Sequence, residues 1–97
     1  MEPVIGYLLT GRDVRPEGTP LRLVVPCEPC NGFHWHGAGT VERPDHSPGD
    51  VTDRISHCSR GNEYEWIRIA AEPFRREWMT PLRQRWSAAY RRHLERA

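Results

Sequence analysis

Cys27-Glu28-Pro29-Cys30 sits directly behind an apolar run, Leu21-Arg22-Leu23-Val24-Val25, and a third cysteine, Cys58, follows at a distance. Three cysteines cannot form a closed disulfide set. A thioredoxin-type redox pair needs its Cys-x-x-Cys at the start of a helix. Here the pair is followed by Asn31-Gly32 and the alternating Phe33-His34-Trp35-His36, which reads as the returning arm of a β-hairpin. Thiolates and imidazoles are the soft and borderline donors that a tetrahedral zinc ion takes in fours. All three cysteines and four of the five histidines lie between residues 27 and 58. The expectation is a structural Cys3His zinc centre of Cys27, Cys30, Cys58 and one histidine.

Three histidines compete for the fourth place. His34 and His36 share one strand face, and His34 is nearer the knuckle. His57 adjoins Cys58, and neighbours in extended chain point apart. His34 is the first choice, with His36 and His57 as alternatives, and those left over would support the ligands by hydrogen bonding. His46 lies in a Pro/Asp/Gly loop and reads as solvated.

Pro26-Cys27-Glu28-Pro29-Cys30 also matches half of the zinc deaminase signature. That chemistry needs an upstream His-x-Glu or Cys-x-Glu, and residues 1–26 hold neither His nor Cys. No phosphate loop, nucleophile elbow or His-Glu-x-x-His occurs. The chain reads as a non-enzyme.

Composition sets the frame for this centre. The chain has 97 residues, 37 % of them apolar, and a mean hydropathy of −0.75. That is one domain, residues 1–97, with little to bury, and it needs a staple or a partner. No apolar run approaches the roughly 20 residues of a membrane span. Val4–Leu9 has no basic segment before it and does not read as a signal peptide. These features, with unpaired cysteines, predict a cytoplasmic protein with no membrane association.

The fold class expected is α+β. A small zinc-stapled antiparallel sheet with a zinc-ribbon-like hairpin fills residues 1–70, with strands at 4–9, 21–25, 33–36 and 63–70. Gly11–Pro20 and Gly37–Asp53 read as loops. Residues 71–97 form a basic amphipathic tail, one broken helix at about 72–79 and 81–96. Thr80-Pro81 is a cap-and-start signal, and Leu82, Trp86, Tyr90 and Leu94 recur every four residues.

All fourteen basic residues are Arg. Met1–Trp66 holds six Arg against ten carboxylates, a net −4, whereas Ile67–Ala97 holds eight against three, a net +5. Arg85, Arg92 and Arg96, with Arg91, are the residues expected to meet nucleic acid or a partner. Two functions fit. One is a protein-binding module, since the four Trp and the Arg are the side chains that anchor interfaces; a homo-oligomer is a further option. The other is a nucleic-acid-binding accessory protein using the Arg-rich tail.

Cys27-x-x-Cys30-x-x-x-His34-x-His36-Gly37 followed by Arg54-x-x-His57-Cys58 resembles small zinc-motif proteins of actinobacteria and their phages and plasmids. The resemblance covers about a third of the chain. Glu28 stands where that pattern has Pro, and Asp53 stands where it often has His. What it implies is a metal site and a mobile-element setting, such as a phage accessory or inhibitor, with no activity attached.

Overall fold

The computed structural model describes residues 2–96; Met1 and Ala97 lie outside the described residues. The architecture is α+β. Five strands, β1 (Val4–Thr10), β2 (Pro20–Cys27), β3 (Gly32–Thr40), β4 (Val51–Asp53) and β5 (Trp66–Ile69), precede a 3₁₀ turn at Arg76–Trp78 and one helix, α1 (Ala88–Arg96). The sheet order is β3-β2-β1-β5-β4.

Pairing is antiparallel within β1–β2, β2–β3 and β4–β5, but β1 and β5 run parallel, with Val4 opposite Ile67 and Gly6 opposite Ile69. The sheet is therefore mixed, not antiparallel throughout. Side-chain alternation is identical for both directions, so only the long connection between β1 and β5 permits the parallel arrangement. Gly6 makes the join close: a Cβ there would lie 2.6 Å from Ile67 Cγ2 and 2.9 Å from Leu23 Cδ1.

Alternation sorts the apolar side chains onto two faces. On the first, Tyr7, Leu9, Val24 and Phe33 are covered by Phe74, Trp78 and Tyr90. On the second, Leu21, Leu23, Val25, Ala38, Ile67 and Ile69 pack with Tyr64. The second face closes by curling. Arg54, just after β4, donates to the Gly37 carbonyl in β3 at 3.2 Å, and Tyr64, just before β5, meets His36 of β3.

The segment expected as a loop at 37–53 contains the end of β3 and all of β4. Gly39, at φ 82°, starts the tight reversal in which Thr40 donates to Arg43 and Asp45 to Ala38.

The C-terminal quarter departs furthest from expectation. Residues 72–79 are not a helix. Ala70 donates to Gly6 and Phe74 to Leu8, so this stretch continues along β1 and only Arg76–Trp78 turns. Nor does a helix start at Pro81. Thr80 accepts from Gln84 through its carbonyl and from Arg85 through its hydroxyl, Gln84 takes φ 51°, and Met79 bridges back to Trp86. Thr80 therefore caps a reversal, not a helix. Leu82 lies at its tip and is 96 % exposed. The helix begins after Ser87, whose hydroxyl accepts from the Tyr90 amide and whose carbonyl accepts from Arg91, the N-cap arrangement. Tyr90 is 1 % exposed, surrounded edge-on by Phe33 and Trp86 and tilted against Trp78.

Candidate metal centre

Cys27, Cys30, His34 and Cys58 converge, their ligand atoms all within 4.8 Å of one another. Cys58 Sγ lies 3.7 Å from Cys27 Sγ and 3.5 Å from Cys30 Sγ, and Cys30 Sγ lies 3.9 Å from His34 Nε2. Zinc–sulfur bonds of about 2.3 Å and zinc–nitrogen bonds of about 2.1 Å set edges of about 3.8 Å and 3.6 Å in a tetrahedron. The donors thus already stand at the spacing of a tetrahedral metal site. All three cysteines are free thiols, with their sulfurs too far apart for a disulfide.

Each ligand is placed by local structure. Cys27 ends β2 and is fully buried. The turn after it closes when Asn31 donates to the Glu28 carbonyl at 2.9 Å, with Asn31 at φ 50°, a conformation that asparagine tolerates. This swings Cys30 back over the hairpin tip. His34 stands opposite Val25 on the second face of the sheet. Cys58 arrives from the other side, in a turn where Arg60 donates to its sulfur at 3.4 Å, Gly61 takes φ 88°, and the Ser56 hydroxyl donates to the Asn62 carbonyl.

Thiol acidity follows from these surroundings. Backbone N–H donation, from Asn62 first and Arg60 second, pulls Cys58 down to about 6. Hydrogen bonding to Cys27 and then to Cys58 pushes Cys30 up to about 12. Three sulfurs this close cannot all carry charge without a cation between them, a place that a divalent metal would fill.

His36 and His57 lie outside the cluster. His36 is one pleat repeat further from the knuckle than His34, and its Nε2 meets the Tyr64 hydroxyl at 2.7 Å. Burial, then the charge of Arg54, lowers the His36 pKa, while burial raises Tyr64 to about 12, so both are neutral at physiological pH. His57 is exposed beside Cys58. His46 is not merely solvated, for its Nε2 lies 3.0 Å from an Arg54 guanidinium nitrogen.

Sequence reasoning missed the residues that grip the knuckle from behind. The Trp86 amide donates to the Asn31 carbonyl at 3.0 Å, and its indole N–H donates to the Gly32 carbonyl at 2.7 Å. Arg91 donates to Asn31 Oδ1 at 2.6 Å and lies over the Trp86 ring. Only the left-handed preference of Asn31 hinted at a role there. The four arginines singled out by sequence are thus not brought together in one place. Arg85 sits in the reversal bridged to Gly32 and Arg91 is committed to Asn31, while Arg92 and Arg96 line a separate cleft with Arg75. Among the described residues no helix is long and apolar enough to cross a membrane. No protein-family model, curated protein or solved structure matches the chain.

Proposed function

We propose that the chain is a non-catalytic binding module built on a structural zinc centre in the reducing cytoplasm, and that it acts by docking on a protein partner. The observation that carries this reading is the Cys3His donor set, whose spacing matches a tetrahedron with all four positions supplied by protein. A catalytic zinc keeps one position open. The centre is zinc-ribbon-like in plan, with one knuckle at the β2–β3 hairpin tip and Cys58 in a tight turn opposite it.

The docking surface is the part of the first sheet face that the C-terminal segment leaves bare. Ile5, Arg68 and Val51 stand in one cross-strand row, with Trp66 beside them. Ile5 is 47 %, Val51 42 % and Trp66 40 % exposed. Exposed Trp and Arg on a rigid sheet are the side chains that anchor interfaces.

Elemental analysis of the purified chain should give one zinc per molecule, and cobalt replacement should give thiolate charge-transfer bands. A protein captured by wild type, then purified and titrated, should lose affinity for Trp66→Glu while the circular dichroism stays unchanged. A metal-free chain with unaltered melting overturns the zinc centre, and capture indifferent to Trp66 overturns the docking face. A second reading, nucleic-acid binding, is favoured by one fact. Among the described residues no Arg lies within 4.0 Å of a carboxylate, and the one contact of that kind is His93–Glu72.

A further inference from the structure

Between α1 and the segment after β5 lies a cleft of about 370 Å³ that shares no residue with the metal centre or the Trp66 face, lined by Glu72, Arg75, Trp78, Arg92, His93 and Arg96 among others. Its wall is rigid. His93 stacks on Trp78 with ring centroids 4.4 Å apart, and its Nε2 lies 3.6 Å from Glu72 Oε1 and 3.5 Å from the Tyr7 hydroxyl. Glu72 is thereby turned toward His93. Arg92 and Arg96 are one helical turn apart on the same side of α1, and Arg75 is contributed by the other wall. All three are exposed, and among the described residues none has a carboxylate within 4.0 Å.

We propose that this cleft binds a phosphate group through the guanidinium groups of Arg75, Arg92 and Arg96. Three cations brought to one cleft repel one another unless an anion sits among them. Planar guanidinium forks match phosphate oxygens in pairs; a phosphate monoester offers terminal oxygens to all three, where a carboxylate or a backbone diester offers two. The acid at Glu77, also on the cleft rim, opposes any anion and so weakens binding without abolishing it. The phosphate could belong to a small phosphate ester or to a nucleic-acid backbone. The second source rests on the nucleic-acid reading above and the first does not.

The test uses the full-length, zinc-loaded chain and two probes. Inorganic phosphate is titrated at constant ionic strength, with chloride as control, and amide chemical shifts are followed at residues 92–96. A short fluorescent single-stranded oligonucleotide is followed by anisotropy. Arg92→Gln/Arg96→Gln should weaken whichever probe binds by at least about tenfold, and Glu77→Gln should tighten it. Arg15→Gln/Arg43→Gln, away from the cleft, should leave it unchanged. Phosphate binding alone assigns the cleft to a small ester. Oligonucleotide binding identifies a strand, with affinity falling about threefold between about 50 and 200 mM salt for the one phosphate held in the cleft. If the double variant misfolds, Arg75→Gln, outside any helix, replaces it. If neither probe binds, or if binding ignores these arginines, the proposal is overturned, whatever the fate of the Trp66 face.

Discussion

Chelation of the proposed zinc should free residues 54–65 first. Between β4 and β5 this connection contains no strand or helix. Ordering its backbone costs about 1 kcal/mol or more per residue, roughly 12 kcal/mol for twelve residues. Its metal-independent return is smaller. Burying Tyr64 contributes about 2–3 kcal/mol. The bonds from Arg54 to Glu65, Gly37, Thr52, Asp53 and His46, from Ser56 to Asn62, from Glu63 to Gly61 and between His36 and Tyr64 contribute about 1 kcal/mol each. The shortfall is about 1–2 kcal/mol, enough to leave the connection open without a metal. Structural zinc, at on the order of 10 kcal/mol, covers it. Hydrogen exchange read by mass spectrometry should show amides at 54–65 losing protection on chelation, with a lower melting temperature. Cys58→Ser should reproduce both effects with zinc present. Full protection of 54–65 in the metal-free chain would refute the reasoning.

Three further outcomes are expected. Tyr90→Ala should cost about 3–5 kcal/mol in urea unfolding, whereas Leu82→Ala should change stability by less than about 0.5 kcal/mol; equal effects would restore the continuous helix. Gly6→Ala should cost about 1–3 kcal/mol by overpacking, and in an Ile67→Ala background the two changes should cost less than their sum, an outcome that additive losses would exclude. Burial raises Tyr7, Tyr64 and Tyr90 above the ordinary 10.0, Tyr64 to about 12. The folded state therefore holds their protons more tightly, so this stability is intact below pH 10 and is lost as pH rises through the folded values. Phenolate absorbance should rise together with unfolding, and tyrosines ionising near 10.0 within an intact fold would contradict it.

The knuckle, the strand before it and His34 are legible in sequence because each rests on short-range geometry: a tight turn, an alternation, a distance along one strand. What is not legible comes from distant backbone. Leu82, Trp86, Tyr90 and Leu94 recur at helical spacing, yet the Trp86 amide and indole are claimed by carbonyls of Asn31 and Gly32, and Leu82 is left on a reversal. Ser87 is the true cap, whereas the cap-and-start signal in the sequence lies at Thr80-Pro81. Tyr64 carries no motif at all, and its partner His36 becomes apparent only once the sheet curls. The direction of β5 cannot be read from Trp66–Ile69, because alternation is blind to polarity.

The central position of β1 has a kinetic side. Its antiparallel neighbour β2 follows within a short loop, but its parallel neighbour β5 emerges from the ribosome some sixty residues later (Val4 opposite Ile67). Until then one edge of β1 stands open to other chains, the state from which intermolecular strand pairing starts. Cys58 is synthesised before β5 and meets the hairpin tip at Cys27 and Cys30. Capture of the proposed ion there would shorten the remaining search to the few residues between Cys58 and Trp66, cutting the loop-closure entropy that slows distant pairing. Metal supply during synthesis would then govern how much chain reaches the native state, apart from any effect on how stable that state is.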